Sequence, residues 1–264
     1  SLRSNSSFTR NERAGVGLCL LRRSILAAVL GFCVTLGAHA FQFEPISADF
    51  APEGPGSIRT FRVENTTGSR IAVRFRITTR EMAPDGSETR EDVGDTFLMF
   101  PRQAVLQPGE VQALRVQYRG PSDLEREQAY RIIAEQVPVD FGEQSDGAGA
   151  IRIMFRYIAA AYVVPEGVRP EIRADAVGWR EGESGEQVLL IRVLNSGTAH
   201  TILDEMTLRL DGPEGTVAEL AAEDLQGLAG ENVLAGATRE FLLPIESELD
   251  AGQIDVSITY TYTR

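Results

Sequence analysis

The chain has 264 residues with 38 acidic against 26 basic groups, and its net charge of −12 disfavours nucleic acid and anionic lipid surfaces as partners. Every basic residue is arginine, so a carboxylate gripped by this protein must be gripped by a guanidinium or by backbone N–H groups. Two cysteines and two histidines leave little for thiolate or multi-histidine metal chemistry.

The first 40 residues read as a secretory signal peptide. Arg10, Arg13, Arg22 and Arg23 precede an apolar run over 25–36, and Ala38-His39-Ala40 supplies small residues for cleavage. The run is too short for a spanning helix, and bulky Phe32 before Cys33 fits lipoprotein processing poorly, so export without membrane insertion is expected. Cleavage after Ala40 would remove both cysteines, His39, five arginines and Glu12. That leaves 21 arginines against 37 carboxylates, a net charge of −16, with His200 as the sole imidazole.

From Phe41 the pattern is short strands and turns. Ile58, Thr60 and Arg62 alternate with Phe61 and Val63, and Asn65-Thr66-Thr67-Gly68 turns the chain. Ile71, Val73, Phe75 and Ile77 alternate with arginines in a half-buried strand. Further strands are expected over 96–100, at Leu114, Val116 and Tyr118, and over 130–137. Ala83-Pro84-Asp85-Gly86 and Leu106-Gln107-Pro108-Gly109 supply turns, and an acidic, glycine-rich loop covers 139–150. Strands at this spacing without a helical period predict an antiparallel sandwich over 41–165. Pro165 and Pro170 punctuate a connection. A second, smaller sandwich over 166–264 is expected from strands at 188–194, 206–210, 239–244 and 254–262.

The stretch 151–165 stands out. Ile151, Ile153, Phe155 and Tyr157 share one face of a strand, while Arg152, Met154 and Arg156 share the other. Its second half, 158–164, is apolar on both faces, as in a strand within a sheet. Such a strand is buried at one end and offers an apolar stripe at the other.

No nucleophile–base pair or metal constellation emerges, so neither an enzyme nor a cofactor is expected. His200 lies in a loop after Asn195-Ser196-Gly197-Thr198-Ala199 and reads as an exposed turn residue. Asn65-Thr66-Thr67 matches a glycosylation sequon of the kind that arises often by chance.

Leu106-Gln107-Pro108-Gly109 followed by Gln112-Ala113-Leu114-Arg115-Val116, then Glu127, Tyr130-Arg131, Glu135-Gln136-Val137-Pro138 and the strand ending at Pro165, resembles the periplasmic pilus-assembly chaperones of the PapD-like family. The resemblance implies an all-β chain of two immunoglobulin-like β-sandwich domains set at an angle. It implies a periplasmic chaperone that holds pilin-like subunits by donor-strand complementation and delivers them to an outer-membrane usher. Donor residues map to Ile151, Ile153, Phe155 and Tyr157, and an interdomain ion network to Arg115, Glu127 and Asp250. The basic pair that anchors the subunit's terminal carboxylate in better-known members is replaced by Ser47 and Ala160, a pattern more like the archaic branch. Arg156, on the donor strand, is the first substitute, followed by Arg80 and Arg131. The alternative is an exported immunoglobulin-like binding module without chaperone activity.

Overall fold

The computed structural model describes residues 40–139, 153–182, 184–225, 227–245 and 247–263. Residues 1–39 of the expected leader and Ile151 lie outside them. The described chain forms two immunoglobulin-like sandwiches in succession, each with its own apolar core.

The first sandwich runs through β1 (Gln42–Glu44), β2 (Ser47–Phe50), β3 (Ile58–Glu64), β4 (Ile71–Thr79), β5 (Glu81–Met82) and β6 (Glu88–Thr89). It continues with β7 (Phe97–Phe100), β8 (Gln103–Leu106), β9 (Val111–Tyr118), β10 (Gln128–Val137) and β11 (Arg156–Val163). One sheet has the order β1-β3-β9-β7, the facing one β2-β11-β10-β4-β8, and β5-β6 forms a separate hairpin. The alternation read in the sequence decides which face is which. Val73, Phe75 and Ile77 of β4 enter the core while Arg74 and Arg76 stay on the outer face. Phe41, Phe43, Phe50, Phe61 and Phe97 fill the space between the sheets. Truncating fully buried Phe61 to alanine would cost about 3–5 kcal/mol.

The second sandwich comprises β12 (Ile172–Glu181), β13 (Gln187–Asn195), β14 (Thr201–Gly212), β15 (Gly215–Ala221), β16 (Asn232–Val233), β17 (Thr238–Leu243) and β18 (Asp255–Thr263). Its sheets are β12-β13-β17 and β15-β14-β16, with β18 also paired to β14. Leu189, Ile191, Leu203, Leu208 and Leu210 form the centre of its core. The sequence pattern missed β12, β15 and the two-residue β16. In β12 a bulge between Ala176 and Gly178 shifts the register and breaks the period-two signal.

Both sandwiches lock a turn with a fully buried asparagine. Asn65 donates to the Ser69 and Leu106 carbonyls and accepts from the Thr67 N–H. Asn195 donates to the Ala199 and Val233 carbonyls and accepts from the Gly197 N–H. The Leu-x-Pro-Gly motif closes on the first of these turns: Leu106 is fully buried, and Gly109, at φ 75, donates its N–H to the Asn65 carbonyl. Asn65 is therefore a structural amide with no access for a glycan.

Candidate functional site

Strand β11 is flanked unequally. On one side it pairs antiparallel with β10 from Arg156 to Val163. On the other, β2 covers it in parallel only from Ala160 to Val163. Among the described residues, no strand pairs with Arg156–Ala159 on that second side. The printed bonds fix which main-chain groups face the gap. Gln136 N–H donates to the Phe155 carbonyl, whereas Ala160 and Val164 N–H donate toward β2. Even-numbered residues therefore point their N–H and C=O to the β2 side, and those of Arg156 and Ile158 face the uncovered edge. Just upstream, Ile153 is 66% and Met154 49% exposed.

An open apolar groove of about 940 Å³ runs beside this edge, lined by Phe43, Pro45, Ile46, Phe61, Val111 and Tyr157 among others. It forms because the chain leaves β1 in one sheet for β2 in the other at Pro45, so the two sheets part where β11 is uncovered. Tyr157 contacts Phe41 edge-on, and Phe155 packs partly buried against the first core.

The outer face of the same sheet carries two guanidinium clusters in a protein that is acidic overall. Glu135, 6% exposed, takes Arg74 at 2.6 Å, Arg156 at 3.2 Å and Arg76 at 3.4 Å. Burial opposes its ionisation, yet the Arg74 hydrogen bonds and the charges of Arg76, Arg74 and Arg156 hold its carboxyl below the usual range. Glu88 of β6 reaches onto the same face from the hairpin. It is bound by Arg80 at 2.7 Å, by Arg90 at 2.5 Å and closely by Arg131. Burial again works against ionisation, and the hydrogen bonds from Arg131 and Arg90 with the charges of Arg80 and Arg131 bring the Glu88 carboxyl down to about 2. Six guanidiniums thus face two carboxylates.

Register places Ser47, Ala160, Arg131 and Thr78 side by side across four strands of this face. Ser47 and Ala160, the positions expected to correspond to the family's basic pair, are direct neighbours, and Arg131 stands opposite Ala160 on the other side. Arg156 lies further along β11 at 58% side-chain exposure, and Arg80 is buried beneath Tyr162, whose hydroxyl accepts from its Nη1 at 2.9 Å.

The three residues of the expected interdomain network lie in different settings. Arg115 is exposed on β9, and Asp250 is exposed at a turn where it and Gln253 form a capping box. Glu127 is buried, with its Oε1 2.5 Å from His200 Nδ1 and 3.2 Å from the His200 N–H. His200 is therefore not an exposed turn residue. It is 1% exposed and stacks on Tyr162 of β11 at 3.8 Å between centroids. Tyr162 in turn accepts from Asn232 of the second sandwich. Sequence reasoning missed this pair because 73 residues separate its members and neither carries a local motif. The hairpin adds a second bridge: Glu240 N–H donates to the Pro84 carbonyl at 2.8 Å, and Arg239 Nη1 lies 3.4 Å from the Met82 sulfur.

The fold is thus two immunoglobulin-like sandwiches, and among the described residues β11 of the first is paired on its β2 side only from Ala160 to Val163. Residues 54–169 match the pili and flagellar-assembly chaperone family's PapD N-terminal domain. The probable fimbrial chaperone EcpE of Escherichia coli O157:H7 is 34% identical over 115 residues, 43% of this chain. That match spans 44% of the relative's length. Among solved structures, a chain of the CsuC–CsuE chaperone–tip adhesion subunit complex from archaic Csu pili of Acinetobacter baumannii superposes with a TM-score of 0.56. It is 15% identical and covers 83% of this chain and 97% of that one. The class 5 fimbriae chaperone CfaA gives 0.53 at 13% identity, over 84% of this chain and all of that one. Over residues 54–169 the chain is thus similar to the pili and flagellar-assembly chaperones, and these solved structures share its fold.

Proposed function

We propose that this protein is a periplasmic chaperone for pilin-like subunits, of the archaic kind, acting by donor-strand complementation and passing its cargo to an outer-membrane usher. The observation that carries the reading is the half-covered edge of β11. Arg156 and Ile158 turn their main-chain groups to the gap, Ile153 is exposed ahead of them, and an apolar groove lies alongside. A subunit lacking a strand supplies an unpaired edge and an open core. An added strand meets the first with main-chain hydrogen bonds and the second with alternate side chains. Ile153, Phe155 and Tyr157 share one parity, with Ile151 ahead of the described segment. Phe155 and Tyr157 are already half committed to this protein's own core, so Ile153 is the side chain freest to enter a partner.

A strand added here needs a fixed end, since a one-residue slip would present the wrong face. The anchor for the subunit's terminal carboxylate is read as Arg131, with Arg156 and Arg80 behind it, because Arg131 stands beside Ala160 and Ser47. The reading is tested by co-expressing the protein with a pilin-like subunit encoded beside it and recovering the soluble complex. Ile153→Asp should fold normally and lose capture. Capture at the wild-type level by a folded Ile153→Asp protein refutes strand donation by this segment.

A further inference from the structure

We propose that the Arg80–Arg90–Arg131 cluster is a carboxylate-binding site that Glu88 occupies in the free protein, as a built-in stand-in for the terminal carboxylate of a bound chain. The inference rests on the chaperone reading above and adds what fills the site before a subunit arrives.

Three observations lead to it. First, three guanidiniums converge on one carboxylate, and two of them are well shielded: the side chains of Arg80 and Arg131 are 6% and 17% exposed. An excess of two positive charges in so shielded a place attracts a second anion or an exchange of the first. Second, Glu88 does not belong to the sheet it neutralises. It is carried by a two-stranded hairpin laid over that sheet, unlike Glu135, which is a residue of β10 itself. Third, the Thr78 hydroxyl beside Arg131 is buried without a hydrogen-bond partner, and a buried hydroxyl in that state marks where an acceptor would fit. Ala160, on the other side of Arg131, contributes no more than a methyl group above the sheet, and Ser47 beyond it is exposed.

The hairpin itself is held. Its Pro84 carbonyl accepts from Glu240 N–H, and a Cβ built on Gly86 would lie 2.6 Å from the Arg239 guanidinium. Exchange is therefore a side-chain event. An incoming carboxylate takes Arg131 and the Thr78 hydroxyl, while Glu88 retreats toward Arg90, whose side chain is 33% exposed. A carboxylate fits better than a phosphate here, because the forked donors of Arg131 already hold a planar two-oxygen group through both Nε and Nη2.

The test uses the purified protein and small probes. Formate should bind Glu88→Ala with a Kd at least tenfold lower than wild type, and Glu88→Ala/Arg131→Ala should lose that gain. In wild type, N-acetylalanine should shift the Glu88 carboxyl and Arg131 Nε–H resonances together, and N-acetylalaninamide should shift neither. The wild-type titration decides the matter if Glu88→Ala does not fold. The proposal is overturned if a folded Glu88→Ala protein binds formate no better than wild type, if removing Arg131 changes nothing, or if the acid and its amide act alike on wild type. None of these titrations contains a subunit. A negative result here leaves strand donation standing, and wild-type capture by Ile153→Asp leaves this site standing.

Discussion

Replacing His200 with alanine separates the junction seen in the structure from the one the family pattern suggested. The substitution removes the 2.5 Å contact between Nδ1 and the Glu127 carboxylate and the stack on Tyr162, and it leaves the His200 N–H bond to Glu127 in place. A hydrogen bond to a charged, buried group is worth about 1.5–3 kcal/mol and an aromatic stack about 0.5–1.5 kcal/mol. His200→Ala should therefore lower stability by roughly 2–4.5 kcal/mol. Urea unfolding read by circular dichroism and by the fluorescence of Trp179 measures it, since this one tryptophan is tied to the second sandwich through the Leu249 carbonyl. Glu127→Ala and His200→Ala should couple by about 1 kcal/mol or more, while Glu127→Ala should be additive with Arg115→Ala and with Asp250→Ala to within about 0.5 kcal/mol. A His200→Ala cost under about 0.5 kcal/mol, or strong coupling of Glu127 to Asp250, would refute the assignment.

Phe155→Asp should destabilise the protein by about 1–3 kcal/mol, because a half-buried ring against the first core would give way to a carboxylate, whereas exposed Ile153→Asp should stay within about 0.5 kcal/mol of wild type in the same urea titration. Glu88, depressed from 4.5 to about 2, contributes stability that is fully present above about pH 4.5 and fades as the pH falls toward 2. Wild type should therefore lose more stability than Glu88→Gln across that window, and equal slopes in unfolding measured at pH 4.5, 3.5 and 2.5 would count against the cluster.

Strand alternation made much of the first sandwich legible, because β4 and β9 each send alternate apolar side chains into the core and arginines to the other face. The stretch over 151–165 was expected as one continuous strand, yet β11 begins at Arg156, after Ile153 and Met154 are already exposed. Periodicity reports which side chains share a face. It does not report where a neighbouring strand stops, and β2 stops short of that segment. The second sandwich was less legible: a bulge interrupts β12, and in β14 a register shift between Asp204 and Thr207 accompanies the positive φ of 45° at Glu205. Three of the six clustered arginines, Arg156, Arg131 and Arg80, were named from the sequence as candidate anchors, but Arg74, Arg76 and Arg90 and the sharing of two carboxylates were not, because Glu88 and Glu135 lie far apart in the chain and meet on one face only through the β10–β4 register and the hairpin.

The loop that carries His200 also holds the connection between the sandwiches. Thr198 and Ala199 N–H both donate to the Arg169 carbonyl, Thr198 C=O accepts from Glu127 N–H, and a Cβ on Gly197 would come within 2.4 Å of the Arg169 and Glu171 backbone. A single methyl group at 197 would act as a wedge driven between loop and linker, prising the linker off the loop that Glu127 holds from the first sandwich. The seating of the linker on this loop is thus set by a residue with no side chain, far along the chain from the proposed donor segment.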